Sequence, residues 1–256
     1  MIFDTRLDRR RFLTRTLQAA GLFALTGCDD LSGQEGVRRF LGKTERLTGR
    51  IQRAFTPAQA MAKEYREADL SSVFPANGNT DPNNRLYDAL ASDGFRDWRL
   101  MVTGLVKKPA GFSLEALKAL PFRRQITRHD CVEGWSAIGK WTGVPLREIL
   151  EQVQPQPFAR YIVFHCADLD EDNVPYYESM ALEDAYHPQT ILAYEMNDQP
   201  LDVPHGAPLR LRFERQLGYK QAKYLMGLEL TDSLASFGGG KGGYWEDQGY
   251  EWYAGI

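Results

Sequence analysis

From Trp98 onwards, alternating apolar and polar positions predict a series of short strands. Trp98, Leu100 and Val102 alternate with polar or small neighbours, which is the period of a strand with one buried face. Further strands are predicted at Tyr161 to Cys166, Thr190 to Tyr194, Leu209 to Phe213, and Tyr224 to Leu230. A turn at Asn197-Asp198 is expected to end the second of these.

Helix signals are fewer and short. Thr56-Pro57 provides a cap and a first-turn proline for a predicted helix over Ala58 to Ala68. Ser113 is predicted to cap a helix to Leu120, and Pro145 to open another to about Val153. Ser71 to Pro82 is predicted to be a loop. Short strands and short helices without a repeating βα rhythm predict an α+β domain.

Residues 1–28 are interpreted as an export signal. Arg9-Arg10-Arg11-Phe12-Leu13 is similar to a twin-arginine signal, which carries folded proteins across the inner membrane. Leu25-Thr26-Gly27-Cys28 is similar to a lipobox, so Cys28 is a candidate lipidation site. The expected location is the periplasm, with a lipid on Cys28 holding the chain to the inner membrane. A basic amphipathic helix on a cytoplasmic protein is the alternative.

Composition places the remainder of the chain among ordinary globular proteins. Charged residues make up 25% of the 256 residues and hydrophobic ones 43%, and the net charge of −3 gives no reason to expect nucleic-acid binding. No apolar run approaches the roughly 20 residues of a membrane span. We predict a tether with the N-terminal helix at 29–70, a main domain at 71–236, and a glycine-rich joint with an aromatic tail at 237–256.

The segment with the most candidate catalytic or metal-binding side chains is Arg128-His129-Asp130-Cys131-Val132-Glu133-Gly134-Trp135-Ser136. A cysteine follows a predicted strand and stands beside ionisable residues, and a thiolate is a soft donor that suits a redox metal. On the residues alone, two alternatives stay open. Cys131 could be a buried structural cysteine, or it could pair with Cys166 in a disulfide, since the exported compartment is oxidising.

Cys131 to Ser136, followed by Trp141-Thr142-Gly143-Val144-Pro145-Leu146, resembles the molybdenum-binding segment of the sulfite oxidase family. The resemblance runs from about Ser71 to the C-terminus and is closest to a bacterial branch of sulfoxide reductases. It implies a sulfite-oxidase-type molybdopterin domain with mixed β-sheets. It also implies a molybdenum–molybdopterin cofactor whose metal is held by the thiolate of Cys131 and two pterin sulfurs.

Two more blocks carry implied cofactor contacts. The segments from His205 to Leu211 and from Leu217 to Lys223 resemble the pterin-holding strand and loop, which implies contacts from His205, Arg210, Gln221, Ala222 and Lys223. Arginine and lysine suit the pterin's phosphate. The alternative for Arg210 and Arg212 is a solvated strand face, which we retain for Arg212. Cys166 stands where the reductases have a cofactor-contacting threonine, although it could simply end a core strand.

Upstream, Phe74-Pro75-Ala76-Asn77-Gly78 lies where relatives place a loop against the pterin, so Asn77 and Gly78 are further candidates. His129 and His165 are interpreted as hydrogen-bonded structural histidines rather than groups near the cofactor. The aromatic tail is expected to pack back on the domain, the alternative being a lid or a docking strip for an electron partner.

The resemblance to the sulfite oxidase family implies a two-electron oxidoreductase that exchanges an oxygen atom with a small or protein-bound substrate. We favour reduction of a sulfoxide, with sulfite oxidation as the alternative and a non-catalytic binding lipoprotein as a rival of another class. No Cys-x-x-Cys-His haem motif is present. Electrons are therefore expected from a separate partner, either a membrane cytochrome b or a periplasmic cytochrome.

Overall fold

A computed structural model describes residues 60–256. Two five-stranded sheets form the body of this unit. In chain order the strands are β1 Arg99–Gly104, β2 Ala110–Ser113, β3 Arg123–Asp130, β4 Ser136–Pro145, β5 Tyr161–Leu169, β6 Pro175–Ala181, β7 Thr190–Met196, β8 Gln199–Pro200, β9 Arg210–Phe213 and β10 Leu225–Thr231. With few and short helices, this is the α+β architecture that the sequence predicts.

The two sheets differ in strand direction, because only the first contains a parallel pair. The first has the order β2-β1-β10-β5-β6, and its β1–β10 pair is parallel while the other pairs are antiparallel. The second has the order β3-β4-β7-β8, with β9 also pairing with β7. All of its pairs are antiparallel. The hairpin of β3 and β4 presents Cys131 at its turn.

Residues 60–256 contain five short α-helices: α1 Arg85–Ser92, α2 Leu114–Lys118, α3 Leu146–Val153, α4 Leu182–Ala185 and α5 Tyr244–Asp247. The first precedes β1, the last follows β10, and the other three connect strands. The Ser113 cap is confirmed, because its Oγ accepts a hydrogen bond from Ala116 N at 3.1 Å. In α3 the buried positions are Leu146, Ile149, Leu150 and Val153, the spacing of a helix with one apolar face. No helix within residues 60–256 is long and apolar enough to cross a membrane.

The main hydrophobic core draws on both sheets. Leu100, Ile162 and Leu228 come from the first sheet, and Leu192 and Leu211 come from the second. All five side chains are fully buried. Burial of this apolar surface is the main favourable contribution to folding. The alternation noted in the sequence therefore correctly identifies the faces that pack together.

The predicted helix over Ala58 to Ala68 is wrong where the structure describes it, and its residues 56–59 lie outside the described range. Glu64 instead forms a β-bridge with Thr127 on β3, and Tyr65 N donates to Ile126 O at 2.8 Å. Only Glu67–Asp69 is helical, as a single 3₁₀ turn. β3 is an edge strand, and its free backbone groups pair with this segment in preference to the local helix propensity.

Candidate cofactor cleft and active site

A cleft of about 290 Å³ opens beside the turn between β3 and β4. Two sets of lining residues differ in chemistry. We call the first set the amide group and use that term only for these seven residues: Asn77, Gly78, Asn79, Gly218, Gln221, Ala222 and Lys223. The aromatic group consists of Tyr176, Tyr219, Tyr244, Trp245 and Tyr250. Cys131 also lines the cleft, as do the carboxylates of Glu133, Asp168 and Asp170.

Cys131 is fixed by a tight turn. Its amide donates to Trp135 O at 2.9 Å, and its carbonyl accepts from Gly134 N at 3.0 Å. Gly134 has a φ of +91°, a conformation that glycine adopts without steric cost. The thiol is free, only 9% of the residue is exposed, and Sγ lies 3.8 Å from Glu133 Oε2. Burial raises the pKa of the Cys131 thiol, so a positive charge such as a metal ion is needed to favour the thiolate.

His129, two residues before Cys131, packs against the amide group. Its Nδ1 accepts a hydrogen bond from Arg212 Nη1 at 3.1 Å, which leaves the ring hydrogen on Nε2. Burial, reinforced by Arg212, holds the pKa of His129 well below its usual range, so the ring is neutral. A Cβ at Gly218 would lie 2.5 Å from His129 Nε2, so only glycine permits this approach. His129 therefore acts as a structural contact between β3 and the 218–223 segment.

Lys223 ties the loop carrying Asn77 and Gly78 to the domain. Its Nζ donates to the carbonyls of Asn77 at 2.7 Å and Pro204 at 3.0 Å, and also to that of Asn79. Burial, followed by the charge of Arg210, lowers the pKa of Lys223 to about 7. The predicted residues Asn77, Gly78, Gln221, Ala222, Lys223 and Cys131 thus all line one cleft.

Arg210 and His205, also predicted to contact the cofactor, lie behind the cleft rather than in its lining. Arg210 is almost fully buried, and its Nη1 donates to His205 O at 2.9 Å. Burial lowers the pKa of Arg210 to about 9. His205 Nε2 lies 3.1 Å from Phe74 O, and its Nδ1 lies 2.6 Å from Asp202 Oδ1. Both side chains hold main chain that supports the amide group.

The solvated-face alternative is wrong for Arg212 and for Arg210. Arg212 is fully buried and forms a two-point ion pair with Glu214, at 2.9 and 2.6 Å. Its guanidinium carbon lies 4.2 Å from the centre of the Trp141 ring, and that of Arg210 lies 5.0 Å from it. The alternating pattern had indicated one cationic face, but other elements cover that face.

Cys166, also predicted to contact the cofactor, is not among the residues that line the cleft. It belongs to the main core cluster, and its Sγ lies 3.9 Å from Phe164 O. It also faces an adjoining cavity of about 560 Å³, which shares Tyr176 and Tyr244 with the cleft. Both described cysteines are free, so the structure contains no Cys131–Cys166 disulfide. His165 is half exposed, and its Nε2 lies 3.0 Å from Glu229 Oε2.

Sequence reasoning missed Asp168, and it gave a position over the cofactor only as the alternative for the tail. Asp168 Oδ2 accepts from Asn79 Nδ2 at 3.1 Å, whereas burial leaves Oδ1 without a partner among residues 60–256 and raises the pKa to about 6. The available signal was an acidic residue two positions after Cys166, at the end of a predicted strand. The tail packs back on the domain, as expected, and also supplies Tyr244, Trp245 and Tyr250 to the cleft.

The comparisons with known proteins identify the family. Residues 89–236 match the family described as "Oxidoreductase molybdopterin binding domain". The chain belongs to this molybdopterin-binding oxidoreductase family. It is 40% identical to a putative protein-methionine-sulfoxide reductase subunit, YedZ1, of Azospira oryzae, over 96% of this chain and 87% of the relative. It is 30% identical to the protein-methionine-sulfoxide reductase catalytic subunit MsrP of Xanthomonas campestris, over 89% of this chain and 71% of the relative. The solved SoxCD sulfane dehydrogenase of Paracoccus pantotrophus covers 54% of this chain, and 39% of its own length is matched, with a TM-score of 0.49 and 24% identity.

The cleft suits the cofactor of this family. Cys131 offers a soft sulfur donor, the kind that a molybdenum centre accepts. Gln221 Oε1 and Arg210 Nε are buried without a hydrogen-bond partner in the described part of the chain. Within residues 60–256, neither Arg210 nor Lys223 forms an ion pair with a carboxylate, although both are buried. A pterin cofactor with an anionic end would offer a donor for Gln221 Oε1 and negative charge to offset the buried cations Arg210 and Lys223.

Proposed function

We propose that this protein is an exported reductase that removes an oxygen atom from a sulfoxide, using molybdenum–molybdopterin held in the cleft at Cys131. The observation that carries the proposal is the cleft itself. Cys131, the one thiol among the lining residues, lies in the same cleft as the amide group. The family to which the chain belongs binds molybdopterin. The names of the relatives, which include protein-methionine-sulfoxide reductases, support the substrate class.

In the proposed site, Cys131 holds the metal, and Asn77, Gly78 and Gln221 to Lys223 hold the pterin. Arg210 and His205 act from behind. Arg210 contacts the Gln221 carbonyl and adds positive charge, and His205 contacts the Phe74 carbonyl in the segment that leads to Asn77. Bound molybdenum would supply two-electron chemistry with transfer of an oxygen atom. The chain orients the cofactor, and partial burial of Cys131 keeps bulk water from its sulfur.

Reduction of a neutral sulfoxide fits the charges of the cleft better than oxidation of sulfite. Glu133, Asp168 and Asp170 line it, and the one lysine in its lining directs its Nζ at three main-chain carbonyls. A small dianion would meet three carboxylates, and the Lys223 ammonium that could offset them already donates to main-chain carbonyls, which is unfavourable. The sulfite-oxidising alternative therefore finds no support in this lining.

The proposed reaction converts a sulfoxide, two electrons and two protons into a thioether and water. The electrons would come from a separate haem protein, either a membrane cytochrome b or a periplasmic cytochrome. Export by the twin-arginine route to the periplasm, and a lipid on Cys28, remain part of the proposal. Their signals lie outside the described residues.

The test uses holoenzyme purified from a host that makes the cofactor. Reduced viologen supplies electrons to methionine sulfoxide, and a separate assay follows sulfite oxidation with ferric cytochrome c. We expect sulfoxide reduction in the wild type, a loss of at least about a hundredfold in kcat for Cys131→Ser, and no sulfite oxidation. Sulfite turnover faster than sulfoxide turnover would overturn the proposed direction.

A further inference from the structure

We propose that Trp245 and Tyr250, on the C-terminal tail, determine specificity by gripping the uncharged side chain and neighbouring backbone of a sulfoxide-bearing polypeptide. This inference rests on the proposed function and assigns a recognition role to a segment outside the matched family region, residues 89–236. The proposed occupant is an extended peptide segment that inserts one sulfoxide side chain into the cleft.

Exposed apolar side chains are concentrated at the mouth of this cleft. In the described part of the chain, four of the twelve strongly exposed large hydrophobic residues line it. They are Val132 and Val174, each 48% exposed, Trp245, 37% exposed, and Tyr250, 39% exposed. Exposed apolar patches of this kind mark binding sites for apolar partners. Continuity with the cleft at Cys131 indicates that the partner is the substrate chain.

The aromatic group forms a continuous series of ring contacts. Trp245 lies 5.4 Å from Tyr244 and 5.2 Å from Tyr250, measured between ring centres. Tyr250 in turn lies 5.1 Å from Tyr219, and Tyr244 lies 5.5 Å from Tyr176. Aromatic rings make favourable contacts with sulfur-containing side chains and offer large contact area at low conformational cost. This surface suits an aliphatic chain that ends in a sulfur group.

The tail is held firmly enough to act as a preformed surface. Glu246, next to Trp245, forms a fully buried ion pair with Lys220. Asp247 Oδ2 accepts from Tyr177 OH at 2.6 Å, and Trp252 Nε1 donates to Ser179 Oγ at 2.8 Å. Tyr250 N donates to Trp245 O at 3.0 Å, which couples the two recognition residues. A surface fixed before binding loses little conformational entropy when a substrate docks.

Charge at the same mouth favours a polypeptide over a small anion. Asp170 lines the cleft and accepts from Tyr244 OH at 2.9 Å, and Glu133 lies beside the exposed Val132. A peptide with a neutral sulfoxide and basic flanking residues complements these carboxylates. The aromatic group would contact the inserted side chain, and the carboxylates would favour cationic flanks.

The experiment compares two substrates on holoenzyme: a short basic peptide containing one methionine sulfoxide, and dimethyl sulfoxide. For Trp245→Ala and Tyr250→Ala we expect KM to rise about tenfold more for the peptide than for dimethyl sulfoxide, with most of the effect in KM and not in kcat. Trp245→Phe should restore most of the peptide affinity. Phe158→Ala is the control, because Phe158 is 74% exposed and does not line the cleft.

A second readout does not depend on turnover. The peptide containing the reduced methionine should quench the tryptophan fluorescence of the wild type, and Trp245→Phe should lose most of that quenching. Equal changes in KM for both substrates, or peptide kinetics untouched by either alanine variant, would overturn the inference while leaving sulfoxide reduction intact. A wild type that reduces neither substrate would instead overturn the proposed function, and this inference with it.

Discussion

Lys220 and Lys223 lie on the same short segment, and both are buried, yet their surroundings are opposite. Lys220 contacts the carboxylates of Glu178 and Glu246, and all three side chains are about 1% exposed. Among residues 60–256, Lys223 Nζ donates only to main-chain carbonyls and lies 5.1 Å from the centre of the Tyr224 ring, and Arg210 is a second buried cation nearby. The first arrangement neutralises its own cation and anchors the tail. The second leaves Lys223 and Arg210 without a carboxylate partner in the described part of the chain, beside the cleft where an anionic cofactor can supply the opposite charge.

The largest expected effect comes from Lys220→Met. This change leaves Glu178 and Glu246 buried without their cation, and burial already raises the pKa of Glu178 well above its usual range. Removing one partner of a buried ion pair costs about 3–5 kcal/mol. We therefore expect the free energy of unfolding to fall by about that amount in urea titrations of the cofactor-free chain. A loss below about 1 kcal/mol would contradict the anchoring role of Lys220.

Asp168→Asn removes the negative charge nearest in effect to Lys223, because Asp168 is the carboxylate whose charge most directly offsets that of Lys223. Its folded pKa is raised from 3.8 to about 6 by burial. Between these two values the folded state binds more protons than the unfolded state, so the free energy of unfolding falls as pH rises through this window. The shift corresponds to about 3 kcal/mol.

The asparagine variant lacks this titration. Cofactor-free Asp168→Asn should therefore be more stable than the wild type at pH 7, by up to about 3 kcal/mol, and should match it near pH 4. Urea titrations at several pH values between 4 and 7 measure the difference. If the free energies of unfolding of the two proteins changed with pH in the same way across this range, the raised pKa of Asp168 would be contradicted.

The smallest effect on stability is expected for Lys223→Met, the matched counterpart of Lys220→Met. Burial penalises the charge of Lys223, and water in the cleft can replace its bonds to the Asn77 and Asn79 carbonyls. We expect a loss of about 1–2 kcal/mol in the cofactor-free chain. The pterin content of the purified protein should instead fall severalfold, as measured by fluorescence after oxidative release. Normal pterin content would refute the assignment of Lys223 to the cofactor.

The sequence predicted those parts of the fold that local patterns determine. The helix at Leu146–Val153 and the cap at Ser113 follow from spacing and side-chain chemistry within a few residues. The helix at Ala58 to Ala68 failed because pairing with Thr127, distant in sequence, outweighed local propensity. Spacing alone left the role of Cys131 open, and the resemblance to the family was what singled it out.

The site was less predictable because it depends on whether each strand residue faces the core, the cleft or solvent. Counting along the chain brought Cys166 close to the expected position, but on β5 it packs in the main core and faces the adjoining cavity instead of the cleft. Arg210 and Arg212 looked solvent-facing in isolation, and only the assembled sheets bury them. The tail's part in the cleft depends on the buried contact between Glu246 and Lys220, which no local pattern indicates.

The central claim is that Cys131, and not Cys166, holds molybdenum in the cleft. The most direct measurement is metal analysis with molybdenum-edge X-ray absorption on wild type, Cys131→Ser and Cys166→Ser, all purified from the same cofactor-producing host. We predict about one molybdenum per chain in the wild type and in Cys166→Ser, with the same sulfur coordination. Cys131→Ser should lose the metal or show one sulfur neighbour fewer. Unchanged coordination in Cys131→Ser, or metal loss in Cys166→Ser alone, would contradict the account.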